Sequence, residues 1–481
     1  MKAKQKISAS IIFSIMLATG IFWFMPDQPV KRGMLILTAV PAGFDLSDDG
    51  LGVDGKYITQ AQIIAIDLDL EKKEAFLLSE GFYSARSPEV SWNGREIVFS
   101  GQRNEQDTWQ IFVKDLETMQ VRQLTESSGN CTDPVWLPDG KIAFSMLNEV
   151  DKGGQVHVLY ACESDGTHQE KLMFSPNSVT SASVFQDGRI LVVSEQKYPE
   201  TDKVRMLALR IDGTKAELFY ESENKAIPVS RGWECMNGKL YFIEKLPEDM
   251  KEGHLVSVDQ GYPLSSWEEL SGGKRGSYHS LFPTSTGQLL VSYKPTGIPN
   301  YGIYLFDLES RGINREIYQN EDYHLIEPVI VQSRAVPMKL PSIVDMSKEK
   351  GTLLCHNVEE STIPVEGKTL EDFKTRKVQV LGINGLLGEV PVEADGSFYV
   401  EVEADVPVRF QTLNAAGEIL RGPSDWVWVR PNEKRSCIGC HEDREMAPEN
   451  KVPMALYNGL VSVPEGTKSE PVVLSEKYRK R

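Results

Sequence analysis

The chain has 481 residues, of which 41% are hydrophobic and 25% are charged. This composition is typical of a globular protein with roughly two to four domains. The formal net charge is −17. This charge argues against nucleic acid or anionic lipid as a partner, because both bind to positively charged protein surfaces. The charge suits a soluble exported protein, and it also suits docking to a basic redox partner.

The N-terminus has the layout of an export signal. Lys2, Lys4 and Lys6 precede an apolar run over residues 8–25, as a basic n-region precedes an h-region. The run is about 18 residues long, just enough to span a bilayer as a helix. Residues 1–33 are therefore predicted to be either a cleaved signal peptide or a membrane anchor. Both alternatives place the body of the protein in the periplasm, and the second attaches it to the inner membrane.

Residues 34–333 consist of short apolar segments separated by turn residues, in a pattern that repeats. Its clearest part is a hairpin turn that ends in glycine, as in Asn93-Gly94 and Asp139-Gly140. Further turn glycines follow at positions 188, 238 and 287, so the interval is 46 to 50 residues. Asn-Gly and Asp-Gly favour tight hairpins, and four strands per period of this length are typical of a β-propeller blade.

Five blades are complete in the sequence, and the remaining segments form a sixth. Residues 34–40, 62–69 and 75–79 are predicted to be its three outer strands. Residues 327–331 resemble the innermost strands of the other blades, and no hairpin follows them. We expect this segment to complete the first blade, because that pairing closes the ring and removes exposed sheet edges. The predicted fold is all-β, with a six-bladed propeller over residues 34–333.

The strand order of a propeller predicts which loops meet at one mouth of its channel. Polar residues at the starts of the innermost strands are Arg86, Cys131, Asp133, Arg231, His279 and His324. We expect them near this mouth, and the alternative for each is an ordinary loop residue.

The periodicity changes after residue 333. Residues 334–430 contain alternating strands with Asp-Gly and Ala-Gly turns, which favour a small β-sandwich-like domain. Its last strand contains Trp426 and Trp428, which could either pack against a cofactor or fill the core. Residues 431–455 follow as a cofactor-binding segment, and residues 456–481 are predicted to be a polar, poorly ordered tail.

The strongest chemical motif is Cys437-Ile438-Gly439-Cys440-His441. Two thiols two residues apart, followed by an imidazole, are the attachment motif of c-type haem. The spacing lets both sulfurs bond to one porphyrin and holds the histidine beneath the iron. The alternatives are a zinc knuckle, which would need a second close pair of ligands, and a redox dithiol, which would need a βαβ context. The sequence therefore predicts covalent haem c, held by Cys437, Cys440 and His441.

The propeller, the small β domain and the single haem motif together resemble the hydrazine synthase alpha subunit family. The resemblance covers about residues 34–455 and is most specific between Trp426 and Asn450. It implies that Cys437 and Cys440 are the thioether cysteines. The second, C-terminal haem domain of that family is not expected here.

The resemblance also implies an unusual metal arrangement. In that family the histidine of the motif binds zinc, and a tyrosine four residues later binds the iron. The corresponding residue here is Glu445, which argues against hydrazine synthesis. His441 or Glu445 is then expected to ligate the iron. If zinc is kept, Cys131 and Asp133 are chemically suitable partners for His441.

These patterns favour an exported mono-haem redox protein with its haem near the propeller mouth. It would either act on a small molecule at an open iron site or transfer electrons to a partner protein. The alternative is a propeller interaction scaffold whose haem is structural or absent.

Overall fold

The computed structural model describes residues 25–26, 29–47, 56–69, 73–150, 152, 154–201, 203–272, 276–361, 374–439 and 449–464. Nearly all of the predicted export segment lies outside these ranges, as do Cys440, His441 and Glu445. Within the described ranges, no helix is both long and apolar enough to cross a membrane.

Residues 25–171 contribute four strands to the first propeller sheet and all strands of the second and third. The first sheet contains β1 (Met25–Pro26), β2 (Leu35–Pro41), β3 (Gln62–Ile66) and β4 (Ala75–Leu77). The second contains β5 (Ser84–Val90), β6 (Glu96–Gln102), β7 (Gln110–Asp115) and β8 (Val121–Gln123). The third contains β9 (Cys131–Trp136), β10 (Ile142–Val150), β11 (Gly154–Cys162) and β12 (Glu170–Lys171).

The next three sheets repeat this order. The fourth contains β13 (Ser178–Val184), β14 (Ile190–Glu195), β15 (Val204–Leu209) and β16 (Glu217–Tyr220). The fifth contains β17 (Ile227–Pro228), β18 (Trp233–Glu234), β19 (Lys239–Leu246), β20 (Asp249–Asp259) and β21 (Glu268–Glu269). The sixth contains β22 (Gly276–Pro283), β23 (Leu289–Pro295), β24 (Gly302–Asp307) and β25 (Gly312–Tyr318).

A late strand returns to the first sheet. Strand β26 (Tyr323–Ile330) pairs antiparallel with β2, with Leu325 opposite Ala39 and Ile330 opposite Leu35. This is the pairing predicted for residues 327–331. Each sheet contacts the next, and the sixth contacts β26 of the first. The prediction of an all-β propeller is therefore confirmed.

The hairpin turns explain the periodic glycines. Gly94, Gly140, Gly188, Gly238 and Gly287 all have φ between +73° and +91°. Side chains other than glycine are strained in this region, so the repeated glycine marks the turn between the first and second long strands of the second to sixth sheets. Apolar layers between neighbouring sheets form the core, for example around Phe144 and Ile111 between the second and third sheets.

The innermost strands share an irregularity that the sequence pattern did not reveal. Ser87, Asp133, Ser181 and Glu327 are not glycine, yet each has φ between +52° and +56°. At each of these positions the pairing with the second strand shifts register. Such β-bulges redirect a side chain, and here they bring polar groups from four sheets to the channel.

A small β domain follows the propeller. One of its sheets has the order β33-β27-β30-β34 and the other has the order β29-β28-β31-β32. The strands are β27 (Lys350–Cys355), β28 (Lys377–Gly382), β29 (Gly385–Pro391), β30 (Phe398–Glu403), β31 (Arg409–Leu413), β32 (Ile419–Arg421), β33 (Lys434–Cys437) and β34 (Val461–Ser462). Their inward-facing residues form one apolar cluster that includes Val400 and Val380.

The domain extends further along the chain than predicted. Helix α1 (Ala455–Asn458) and strand β34 follow residue 455, and β34 pairs in parallel with β30. Val461 and Val463 are buried in the domain core. The prediction of a poorly ordered tail from residue 456 is therefore wrong for residues 456–464, because two valines among polar residues suffice to anchor the segment. Residues 465–481 lie outside the described ranges.

The small domain lies on the outer strands of the fourth sheet. Trp426 donates its indole N–H to the carbonyl of Tyr198, and Trp428 donates to the carbonyl of Gly213. Arg430 donates to two further propeller carbonyls and pairs with Asp405 inside the small domain. The two tryptophans therefore attach the domain to the propeller.

The segment that connects the propeller to the small domain contacts hairpin turns of two propeller sheets. The backbone N–H of Arg334 donates to Trp92 and that of Met338 donates to Gln186, so the connection touches turns of the second and fourth sheets. The guanidinium of Arg334 pairs with Glu89 at 2.7 Å and lies 4.7 Å from the centre of the Trp92 ring. Arg334 therefore ties the connection to the second sheet through both an ion pair and a cation–π contact.

Candidate functional site

The first cysteine of the haem motif ends the edge strand β33. This strand runs parallel to β27 and brings Cys437 opposite Cys355. The carbonyl of Cys437 accepts a hydrogen bond from the backbone N–H of His356, and the carbonyl of Ile438 accepts one from Asn357. At Gly439 a Cβ atom would lie 1.8 Å from the carbonyl oxygen of Glu360, so only glycine fits between the two motif cysteines in this geometry.

Cys437 lines a cleft of about 600 Å³ between the small domain and the propeller. Ligand pockets in proteins commonly have about 300 to 1,000 Å³. On the side of the small domain, residues of β27, β30, β31 and β33 line the cleft. Its apolar floor consists of Leu353, Cys355, Phe398, Phe410 and Val427.

The propeller forms the opposite wall of the cleft. Lys203 and Arg205 belong to β15 and the residues before it, whereas Leu218 and Glu221 belong to β16 and the residues after it. Arg205 is bound by two carboxylates, those of Asp425 and Glu221. The propeller wall therefore places two cations beside the apolar floor, and one of them is neutralised.

These surroundings fit a haem group. A porphyrin needs an apolar cavity of this size, and its propionates need cations or water at the rim. Cys437 lines the same cleft as these apolar and cationic residues. The fit rests on the described residues, since Cys440 and His441 lie outside them.

The cleft and the channel cavity have different walls. The propeller wall of the cleft belongs to the two outer strands of the fourth sheet and to residues beside them, and none of the described residues that line it also lines the channel cavity. Trp426 and Trp428 hold the small domain against this part of the propeller. A haem near the propeller mouth stays a prediction, since Cys440 and His441 lie outside the described residues.

The channel holds the second cluster of polar groups. Arg86, Asp133, Arg231 and His279 line its cavity, as expected from the strand order. Lys56 pairs with Asp133 at 3.1 Å, and Arg86 pairs with Glu327 at 2.7 Å. Burial alone would raise the pKa of Asp133, but Lys56, Arg231 and Arg86 hold this pKa well below its usual value.

Cys131 lies near Asp133 in sequence but has different surroundings. Its side chain is buried in the apolar layer with Ile111 and Phe144, and this burial raises the pKa of the thiol to about 12. Asp133 is already neutralised by cations. Among the described residues, no group of three His, Cys, Asp or Glu side chains could hold a metal ion. These surroundings do not fit zinc, and the set of His441, Cys131 and Asp133 stays a prediction.

His324, the remaining polar residue named from the strand order, has structural surroundings. His324 is buried and accepts a hydrogen bond from the backbone N–H of Tyr301.

A pair that the sequence did not suggest lies near the channel: Tyr57 and His157 form a 2.6 Å hydrogen bond. Burial lowers the pKa of His157 to about 4. No sequence pattern marks this pair, because the two residues come from separate loops and strands.

Comparison with known proteins supports this architecture. A family model described as the hydrazine synthase alpha subunit middle domain matches residues 343–442, and one described as a TolB beta propeller domain matches residues 56–233. Hydrazine synthase subunit alpha of Kuenenia stuttgartiensis is 21% identical over 531 residues. The match covers 84% of this chain, and the chain spans about two thirds (65%) of that relative.

The fold has a similar relative of known structure. Hydrazine synthase from Kuenenia stuttgartiensis superposes with a TM-score of 0.78 at 20% identity, covering 89% of this chain and 71% of that one. Fold and matches define a protein in which a TolB-like propeller precedes a small β domain of the hydrazine synthase type. The chain is similar to the hydrazine synthase alpha subunit, as the sequence resemblance predicted.

Proposed function

We propose that this chain is an exported mono-haem c-type redox protein. The haem is attached through thioether bonds to Cys437 and Cys440 and occupies the cleft between the small domain and the fourth propeller sheet. The observation that carries the proposal is the position of Cys437, which lines a cleft with an apolar floor and a cationic rim. His441, next to Cys440 in sequence, is the proposed iron ligand, with Glu445 as the alternative.

The chain's own residues would control the surroundings of the haem. Leu353, Phe398 and Phe410 would exclude water from the porphyrin face, which is one of the properties that set the potential of a haem iron. When bound, haem would supply either a one-electron couple or an iron site for a small molecule. The partner is accordingly a redox protein or a small redox-active molecule.

Export agrees with this chemistry. Thioether attachment takes place outside the cytoplasm, and the basic and apolar segments at the N-terminus have the layout of an export signal. We place the protein in the periplasm, either released after cleavage or held at the inner membrane by residues 8–25. Hydrazine synthesis is not proposed, because Glu445 stands where the family has tyrosine.

The first experiment is covalent haem retention. The full chain is produced in a host that exports and matures c-type cytochromes, and the purified protein is denatured before its absorbance is recorded. We expect haem to stay with the polypeptide and to be strongly reduced in Cys437→Ser. Cys162→Ser, which removes a buried propeller cysteine, is the matched control and should retain haem. A colourless wild-type chain would overturn the proposal and leave the interaction scaffold.

A second measurement separates the two redox roles. Carbon monoxide is added to the reduced protein and cyanide to the oxidised protein. A spectral change indicates an open iron position and therefore a small-molecule substrate. An unchanged spectrum indicates a filled position and therefore electron transfer.

A further inference from the structure

The cations at the rim of the cleft differ in how they are neutralised. Arg205 is paired with both Asp425 and Glu221. Lys203 and Arg435 also line the cleft, and neither forms an ion pair with a carboxylate of the described part of the chain. The cleft therefore offers two cations to a ligand, one from the propeller and one from the small domain.

The position of Arg435 follows from its strand. Along β33 the side chains alternate between exposed and buried, and Arg435 is on the same face as Cys437. It is 7% exposed and donates one hydrogen bond to the carbonyl of Ala216 in the propeller. Burying a guanidinium without a negative partner is unfavourable, so a carboxylate in the cleft would be stabilised there. The planar guanidinium also matches the geometry of a carboxylate.

Lys203 lies on the propeller wall of the cleft, whereas Arg435 belongs to the small domain. It precedes β15 in the turn that connects the second and third strands of the fourth sheet, and its side chain is exposed. Lysine carries a point charge on a long, flexible stem and can follow a carboxylate at the edge of a cleft. Because Lys203 lies on the propeller wall, a ligand that reaches both cations bridges the two regions.

We propose that Arg435 and Lys203 each bind one propionate of the haem, so that the propeller supplies part of the haem site. This assignment rests on the proposed function, since it requires a haem in the cleft. The two propionates lie on one edge of the porphyrin. Each would pair with a cation that no described carboxylate neutralises. The propeller then positions the cofactor and also affects its potential through Lys203.

The test compares Lys203→Gln, Arg435→Gln and the conservative Arg435→Lys in the haem-loaded full chain. Covalent haem content after denaturation should equal that of the wild type in all three, because the thioether bonds do not involve these residues. The midpoint potential should fall in Lys203→Gln and Arg435→Gln, since an unneutralised propionate favours the ferric state. Arg435→Lys should restore most of the potential. In the double variant the two shifts should add.

Lys197→Gln is the matched control, because Lys197 lies in the same turn as Lys203, is paired with Glu195 and does not line the cleft. Its potential should equal the wild-type value. If Lys203→Gln retains haem with an unchanged potential, the bridging assignment is overturned and the haem proposal survives. If the denatured wild type holds no haem, both proposals fail. Lys203 is exposed, so its variant tests the assignment even if the Arg435 variants fold poorly.

Discussion

The channel and the cleft are two concave regions of the described part of the chain, and they use charge in opposite ways. In the channel, Asp133 is surrounded by Lys56, Arg231 and Arg86, and Glu327 accepts hydrogen bonds from Arg86 and Ser87. The charges satisfy each other and connect different sheets. In the cleft, the floor is apolar, and two of the rim cations have no carboxylate partner in the described chain.

This difference distinguishes charged groups that hold the fold together from charged groups that can bind a ligand. A buried charge that is fully paired contributes to holding neighbouring elements in place, and removing its partner is costly. A cation beside an apolar cavity without a negative partner is a feature of a binding site. The strongest charge network of a protein is therefore not by itself its functional site.

Among the variants that test this contrast, Asp133→Asn in the channel is expected to have the largest effect on stability. The variant keeps the shape of the side chain and tolerates the positive φ, but it leaves buried Lys56 without its carboxylate and removes the negative charge beside Arg231 and Arg86. We expect a loss of about 3 to 5 kcal/mol in the free energy of unfolding, measured by urea titration. Asp139→Asn, in an exposed hairpin turn, is the control and should change stability by less than about 0.5 kcal/mol. Similar losses in both variants would contradict a structural role of the channel network.

The attachment of the small domain should be nearly as sensitive. Trp428 is 2% exposed and packs into an apolar cluster of propeller residues. Trp428→Ala should cost about 3 kcal/mol and should speed proteolytic cleavage in residues 331–349. Tyr262→Ala removes an aromatic side chain that is 59% exposed and serves as the control. Unchanged cleavage in Trp428→Ala would mean that the cleft forms without this contact.

The pH dependence of stability should report the buried histidine near the channel. The pKa of His157 is about 4 in the folded chain, against an ordinary value of 6.5. The unfolded chain therefore takes up a proton first as the pH falls, so this contribution to stability is complete above pH 6.5 and is lost towards pH 4. At pH 5 the loss is about 2 kcal/mol.

Urea midpoints at pH 7 and pH 5 measure this loss. His157→Gln should reduce the difference between the two pH values, and the exposed His168→Gln should leave it as in the wild type. If His157→Gln kept the full wild-type difference, the loss would have to come from other groups.

The smallest effect is expected in the cleft. Asp425 pairs with Arg205, but its side chain is 49% exposed. Asp425→Asn should lower stability by at most about 1 kcal/mol, measured by the same urea titration as Asp133→Asn. A loss as large as that of Asp133→Asn would remove the distinction between the two regions.

The fold was largely accessible from the sequence, because its determinants are local. The turn glycines at 94, 140 and 188 need a positive φ, and that requirement recurs with the blade. The closing strand β26 could be recognised because its residues match the innermost strands and lack a hairpin partner. The bulges at Ser87 and Asp133 were not predicted, since the positive φ there is imposed by hydrogen bonds across the channel and not by residue type.

The site was predicted only in part. Cys437 carries its own local motif, but the position of the small domain depends on contacts such as Trp428 with Gly213, which no spacing reveals. Arg435 could have been found from the alternation on the strand that ends at Cys437. Lys203 could not, because only the packing of distant elements brings it to the cleft. Cys131 and Asp133 are two residues apart in sequence, but the bulge at Asp133 gives them different surroundings.

The two walls of the cleft are synthesised at different times. Arg205 and Asp425, which face each other across it, are 220 positions apart. The fourth sheet is therefore synthesised long before the edge strand that carries Cys437, and the cleft that both of them line can form only after that strand has been made.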